Sequence, residues 1–99
     1  MQMTGLGERL RELRLARARG LKRVAPDLGV SYTYLSKLEN GLVEPSPKTL
    51  LRLAEYYEVS FEGLAGLAGR LPDDLMARLQ ADPEGLISVL REHFRARPR

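Results

Sequence analysis

The chain has no cysteine, one histidine and no long apolar run. Without cysteine there is neither a disulfide framework nor a thiolate metal site. No apolar stretch approaches the roughly 20 residues that span a bilayer, and the N-terminal MQMTGLGERL lacks the apolar core of a signal peptide. We therefore expect a cytoplasmic protein that does not enter the membrane.

Side chains suited to catalysis are also scarce. The only histidine, His93, lies among arginines near the C-terminus. Asp73 and Asp74 fit the start of a helix, where the macrodipole favours acidic side chains, better than a catalytic carboxylate pair. A chain of 99 residues buries only about 60–65% of its unfolded surface, which leaves little room for an enclosed active site. We expect no enzyme, no cofactor and no metal ion.

The net charge of +3 is unevenly distributed along the chain. Residues 1–50 carry nine Lys or Arg against five Asp or Glu, whereas residues 51–99 carry seven against eight. A basic excess in the first half suits a surface that faces phosphates. A solvated basic helix explains it equally well.

Apolar residues recur at spacings of three and four and never alternate over a strand length, which predicts helices throughout. Leu6, Leu10 and Leu13 mark the first helix, with Thr4 as its N-cap. The fourth and fifth helices each follow a serine cap, at Ser46 and Ser60. Pro47, directly after the first of these caps, occupies a position where a missing N–H costs nothing.

The segment between the second and third helices has the pattern of a helix-turn-helix. The small Ala25 lets two helices approach closely, and Gly29 can adopt the left-handed conformation that ends the second helix. Val30 can fill the turn, Ser31 can cap the third helix, and Leu35 follows four residues later. Together, in this order, these residues indicate a helix-turn-helix.

The third helix has two different faces. Each residue of a helix is rotated by about 100° from the one before it, which places Leu35 and Leu38 on the same, inward face. Tyr34 lies closer to that face than to the opposite one. The outward positions are polar or aromatic: Tyr32, Thr33, Ser36 and Lys37. The inward face can anchor the helix while the outward face enters a groove.

Three segments of the chain resemble helix-turn-helix proteins of the Cro and phage-repressor type, also called XRE. The segments are LGERLRELRLARARG, VAPDLGVSYTYLSKLENG and PSPKTLLRLAEYYEVS. The resemblance covers about residues 6–68. It implies an all-α, lambda-repressor-like domain of five helices that binds double-stranded DNA as a dimer. We therefore divide the chain into a DNA-binding domain (1–68), a linker (69–72) and a C-terminal helical extension (73–99).

Carried over by position, the resemblance implies base contacts in the major groove from Tyr32, Thr33, Ser36 and Lys37. It implies phosphate contacts from Ser31, Asn40, Lys48 and the backbone of the 41–47 loop. Three further cations lie near the expected DNA face and are candidate phosphate contacts: Arg19, Lys22 and Arg23.

The sequence departs from the family pattern at three places. The third helix does not begin with the glutamine that is frequent in the family, so no base preference can be transferred. Leu21 stands where a polar residue commonly touches a phosphate. Pro26 stands where an ordinary helix former is usual, and a proline inside a helix costs about 3 kcal/mol. We therefore expect a second helix that is short, or that starts late, so that Pro26 falls in its first turns.

Several of these residues have a plainer explanation. Tyr32 and Tyr34 can pack against the second helix or the following loop, and Lys37 can pair with a nearby glutamate. Asn40 and Gly41 suit turn chemistry alone. Most arginines of the first helix need no DNA: Arg9 and Arg14 can screen phosphates, but surface salt bridges with Glu8 and Glu12 explain them equally well.

The last thirty residues predict two more amphipathic helices. Asp82 caps the last one, Pro83 takes its first position, and the sequence ends in a basic tail. We expect the apolar side of this extension to pair two chains through Leu75, Leu79, Leu86, Ile87, Leu90 and Phe94. The alternative is that it folds back onto the fifth helix of its own chain.

The sequence therefore predicts a DNA-binding transcriptional regulator, expected to act as a homodimeric repressor on an operator, with no ligand pocket and with a regulatory partner protein as a further candidate. Three other functions fit the same helices: an antitoxin, a restriction–modification control protein, and a protein-interaction module that has lost DNA binding.

Overall fold

The computed structural model describes residues 5–96, and within that range it is built from helices alone. The seven helices are α1 (Leu6–Ala16), α2 (Leu21–Leu28), α3 (Tyr32–Glu39), α4 (Pro47–Tyr57), α5 (Phe61–Leu67), α6 (Asp73–Ala81) and α7 (Pro83–Ala96). The predicted all-α architecture, five helices followed by a helical extension, is confirmed.

The core lies between the first five helices. Leu10 of α1, Val24 of α2 and Leu53 of α4 are fully buried, and Leu35 of α3 and Leu64 of α5 are almost so. Burying one such side chain contributes about 1.5–3 kcal/mol. Because every helix from α1 to α5 contributes to the same cluster, the orientation of α3 is fixed by its neighbours rather than by its own eight residues.

Side-chain caps begin α4, α5 and α7 as predicted. The Ser46 hydroxyl accepts a hydrogen bond from the Thr49 N–H at 3.1 Å, and Ser60 caps α5 in the same way. Asp82 Oδ1 accepts from the Gly85 N–H and caps α7. Each such cap stabilises its helix by about 1 kcal/mol. At α1 the cap position belongs to Gly5, without a side-chain hydrogen bond; Thr4, our expected cap, lies outside the described residues.

The second helix is short, as expected, but it does not start late. It begins at Leu21, and Pro26 is its sixth residue, inside the helix. The first turn forms before the proline, because the Gly20 carbonyl accepts hydrogen bonds from the N–H groups of Arg23 and Val24, both at 3.1 Å. Pro26 is exposed, so its ring meets solvent, and what it removes is the donor for the Lys22 carbonyl.

The C-terminal extension packs on itself. Helices α6 and α7 contact each other, and neither contains a fully buried residue among those described. Of the six residues predicted to pair chains, Leu79 and Leu86 are half-buried, whereas four remain exposed: Leu75, Ile87, Leu90 and Phe94. The segment between α5 and α6 is held to the domain, because Arg70 Nη2 donates to the carbonyl of Pro45.

Candidate nucleic-acid interface

The angle between α2 and α3 is set by the backbone of the turn. Gly29 has a φ of +71°, in the left-handed region that side chains rarely adopt. Its N–H donates to the Pro26 carbonyl and that of Val30 donates to the Ala25 carbonyl, each at 3.0 Å. The Ser31 hydroxyl then accepts from the Tyr34 N–H at 3.0 Å. The predicted turn and cap are present.

Helix α3 presents one face to the core and the other to solvent. Leu35 and Leu38 are 1% and 2% exposed, and Tyr34 is half-buried and packs against the core. On the opposite face Thr33 and Lys37 are exposed and Ser36 is half-buried. Tyr32 is also exposed, with half of its surface open to solvent. The packing explanation of the tyrosines therefore applies to Tyr34 rather than to Tyr32.

The C-terminal end of α3 is fixed to α1 by a buried ion pair. The Glu39 side chain is fully buried and receives two hydrogen bonds from Arg14: Nε to Oε2 at 2.8 Å and Nη2 to Oε1 at 3.0 Å. The third nitrogen of the guanidinium, Nη1, donates to the Arg19 carbonyl at 3.0 Å. The hydrogen bonds with Glu39 raise the pKa of Arg14 against the opposing effect of burial. Removing one partner of such a pair costs about 3–5 kcal/mol.

This pair corrects both expected explanations of Arg14, a phosphate contact and a surface salt bridge. Arg9 does form one, with Glu12 at 3.4 Å. Arg14 is instead buried, because it lies four and eight residues after Leu10 and Leu6 and so falls on the same face of α1. That spacing could have predicted the burial of Arg14. It could not have identified the partner, Glu39, which lies 25 residues further along the chain.

A second contact between α1 and α3 was also missed. A Cβ atom placed on Gly7 would lie 2.4 Å from the carbonyl oxygen of Glu39 and 2.9 Å from that of Leu38. The backbones of the two helices therefore approach more closely than any other residue type allows. Helix α1 controls α3 sterically through Gly7 and electrostatically through Arg14.

The cations expected to contact phosphates differ in their exposure to solvent and in whether they already have a partner in the protein. Lys22 and Lys48 are exposed. Arg23, also exposed, lies 3.7 Å from Asp27. Arg19 is half-buried, and its Nη1 donates to the Tyr56 hydroxyl at 2.8 Å.

Ser31 and Asn40 flank α3, and both are exposed. Asn40 ends the helix: its Nδ2 donates to the Ser36 carbonyl at 2.8 Å, and its Oδ1 accepts from Arg11. Asn40 therefore has the predicted turn role whether or not it also meets a phosphate.

The dimensions of this surface suit a duplex. With its side chains, an α-helix such as α3 is about 10–12 Å in diameter, and the major groove is about 12 Å wide. Within residues 5–96, no group of three or more metal-ligating side chains could hold a metal ion. None of the helices in that range is long and apolar enough to cross a membrane.

Comparison with known proteins identifies relatives. A family model described as helix-turn-helix matches residues 10–64. The HTH-type transcriptional regulator DdrOP3 of Deinococcus deserti is 43% identical over 86 residues, which cover 79% of this chain and 66% of that protein. The HTH-type transcriptional repressor RghR of Bacillus subtilis is 38% identical over 77 residues, or 77% of this chain and 57% of RghR. The chain thus spans between about half and two thirds of the length of the curated relatives it matches.

A solved structure shares the fold. A chain of the SinR–SinI protein complex superposes with a TM-score of 0.57 at 21% identity, covering 93% of this chain and 96% of that one. The family match extends over more than half of the 99 residues, from α1 to α5. The chain therefore belongs to the helix-turn-helix family, of the Cro and phage-repressor type that its motifs predict.

Proposed function

We propose that this protein is a sequence-specific double-stranded DNA-binding transcriptional regulator that acts as a homodimeric repressor. One observation carries the proposal: the polar face of α3, with Thr33 and Lys37, is exposed on a helix whose other face is fixed by buried Leu35 and Leu38. The names of the relatives, regulators and a repressor of the helix-turn-helix type, support the same conclusion.

The outward side chains supply chemistry that can distinguish base pairs. Lys37 can donate to the O6 or N7 atom of guanine. The hydroxyls of Thr33 and Ser36 can donate or accept, and the Thr33 methyl can contact the methyl of thymine. Tyr32 can present its phenol to a phosphate or its ring edge to thymine. We assign these four residues to the base-reading face.

The phosphate contacts would come from both sides of α3. Lys48 and Lys22 are exposed cations, and each phosphate neutralised releases counterions from the duplex. Arg23 lies on the same helix as Lys22. Arg19 binds DNA in this proposal only if its guanidinium turns from the Tyr56 hydroxyl. Ser31 and Asn40 would add hydrogen bonds without charge.

A dimer would place two copies of α3 on one face of the duplex. Successive half-sites are about 34 Å apart, one helical turn of DNA. The apolar side chains of α6 and α7, four of them exposed and two half-buried, could hold the two copies at that spacing. The pairing residues would be Leu75, Leu79, Leu86, Ile87, Leu90 and Phe94. Truncation of the chain at Arg70 tests this role: dimerisation and operator affinity should both fall.

The test of base recognition begins by selecting bound sequences from a random duplex pool. Lys37→Ala should then relax the preference at one position, at a cost of about 1–3 kcal/mol for the preferred base. Lys48→Ala is the matched control: it should weaken binding to all sequences. It should also reduce the slope of log affinity against log salt concentration by about one. An unchanged site preference for Lys37→Ala would contradict our placement of α3.

A regulatory partner protein is a second candidate for the extension. Leu90 and Phe94 of α7 are 49% and 70% exposed, and a helix with such a face can bind another protein as well as a second copy. The similar SinR chain was solved with the SinI protein. A partner of this kind would compete with dimerisation, so its addition should lower operator affinity.

A further inference from the structure

One apolar groove of the molecule is lined by none of the side chains assigned to DNA contacts. It lies between the start of α4, helix α5 and the start of α6, and it encloses about 430 Å³. We call it the α5 groove; its apolar lining includes Pro47, Phe61, Ala65 and Leu71. Phe61 and Leu71 are 38% and 41% exposed, so apolar surface there still faces solvent.

The floor of the α5 groove carries an unsatisfied donor. Arg70 lines the groove, and its Nη2 donates to the Pro45 carbonyl. Its Nη1 is buried without an acceptor among the described residues. A buried donor left without a partner costs about 1–3 kcal/mol. Because Nη1 is closed to solvent, it is not part of the surface that an occupant meets, and the groove lining itself fits an apolar side chain.

The rim of the groove is acidic. Glu62, in the first turn of α5, and Asp73, the first residue of α6, both line it and are both exposed. A fitting occupant would carry positive charge beside its apolar side chain.

The C-terminal half of α7 has each of these properties. Leu90 and Phe94 lie four residues apart on one face, and Phe94 is 70% exposed. Arg91 and Arg95 flank them on the same helix, and Arg95 Nη1 also donates to Glu92 Oε2 at 2.9 Å. The same segment therefore offers an aromatic ring together with cations.

The chain does not fill the groove with its own α7, because that helix packs against α6 and leaves Phe94 exposed. We propose that Leu90 and Phe94 of α7 dock into the α5 groove of a second copy, with Arg91 and Arg95 against Glu62 and Asp73. In a two-fold dimer this contact is made twice. The inference rests on the proposed homodimer and adds to it a receiving surface formed by α5 and the starts of α4 and α6.

The test measures the dimer dissociation constant of the full-length protein by analytical ultracentrifugation. Leu71→Gln alters the groove and Phe94→Ala alters the occupant, and each should weaken the dimer at least tenfold. The double variant should be no weaker than either single variant, because both remove the same contact. Leu51→Gln is the matched control: Leu51 is similarly exposed, at 47%, lies on α4 and does not line the groove. It should leave the constant unchanged.

A charge exchange tests the same contact without touching apolar packing. Glu62→Arg and Arg91→Glu should each weaken the dimer, and the combination should restore it. Both residues are exposed, so their variants should keep the cooperative thermal unfolding of the parent.

Two outcomes separate this inference from the proposed function. If Phe94→Ala weakens the dimer while Leu71→Gln does not, and the charge exchange gives no rescue, α7 pairs elsewhere. The groove assignment is then wrong and the homodimer stands. If, instead, neither Phe94→Ala nor truncation at Arg70 changes self-association, the proposed dimerisation through the extension is itself wrong.

Discussion

Replacing Gly7 by alanine tests how closely α1 fixes the position of α3. Alanine favours a helix over glycine by about 1 kcal/mol, so by propensity alone the variant should be more stable. The added Cβ, however, would lie 2.4 Å from the Glu39 carbonyl oxygen, where ordinary contact begins at 3.4 Å. The two helices must therefore separate by about 1 Å, at an overpacking cost of about 1–3 kcal/mol. We expect a net loss of stability of about 1 kcal/mol.

The same displacement should impair DNA recognition more than it impairs folding. A shift of about 1 Å takes a hydrogen bond from 2.9 Å to a distance at which it no longer forms. One lost base contact of about 1–3 kcal/mol lowers specific affinity by roughly tenfold or more. Affinity for random DNA should hardly change, because phosphate contacts supply it.

The assay compares Gly7→Ala with Gly66→Ala in urea unfolding and in binding to selected and random duplexes. Gly66 lies in α5, and a Cβ there meets nothing within 4 Å. Its replacement should raise the unfolding free energy by up to about 1 kcal/mol and leave both affinities unchanged. If Gly7→Ala behaves in the same way, the contact between α1 and α3 does not constrain the recognition helix and our reasoning is refuted.

Three further variants probe the buried polar groups and the proline. Glu39→Gln should lower the unfolding free energy in urea by about 3–5 kcal/mol, because it leaves the Arg14 charge buried without a counter-ion; a loss below 1 kcal/mol would contradict this. Burial raises the pKa of Tyr57 to about 12, so stability should fall by up to about 2–3 kcal/mol as pH rises from 10 to 12, where only the unfolded tyrosine loses its proton. Tyr57→Phe should abolish that loss in alkaline denaturant titrations and cost nothing at pH 7, because the buried hydroxyl has no partner among the described residues. Pro26→Ala should raise the thermal midpoint and increase the unfolding free energy by about 2 kcal/mol, since the Lys22 carbonyl regains its donor. An unchanged midpoint would show that the proline is not strained.

Much of the fold could be predicted because its signals are local. Leucines at spacings of three and four place the inward face of α1 and α3, and each capping residue acts within one turn of its helix. Gly29 and Ser31 define the turn in the same way, since a positive φ and a cap are properties of single residues. These features do not depend on where the rest of the chain lies.

The position of Pro26 and the role of Arg14 were harder to predict because other parts of the chain decide them. Pro26 stays inside α2 because Val24 and Leu28 on either side of it are buried in the core, and that burial outweighs the lost hydrogen bond. The side chain of Arg14 could have remained in water, and only the crossing of α1 over α3 removes it from solvent.

The sequence by itself determined that this chain forms helices, that α3, α4, α5 and α7 each begin after a capping side chain, and which face of α3 turns outward. Only the tertiary structure decided how α3 is held, because Gly7 and Arg14 acquire their partners, the backbone and the carboxylate of Glu39, when residues at least 25 positions apart in the chain come into contact. Helix periodicity arises from hydrogen bonds between near neighbours, whereas close approach and desolvation of a charge exist only between packed elements.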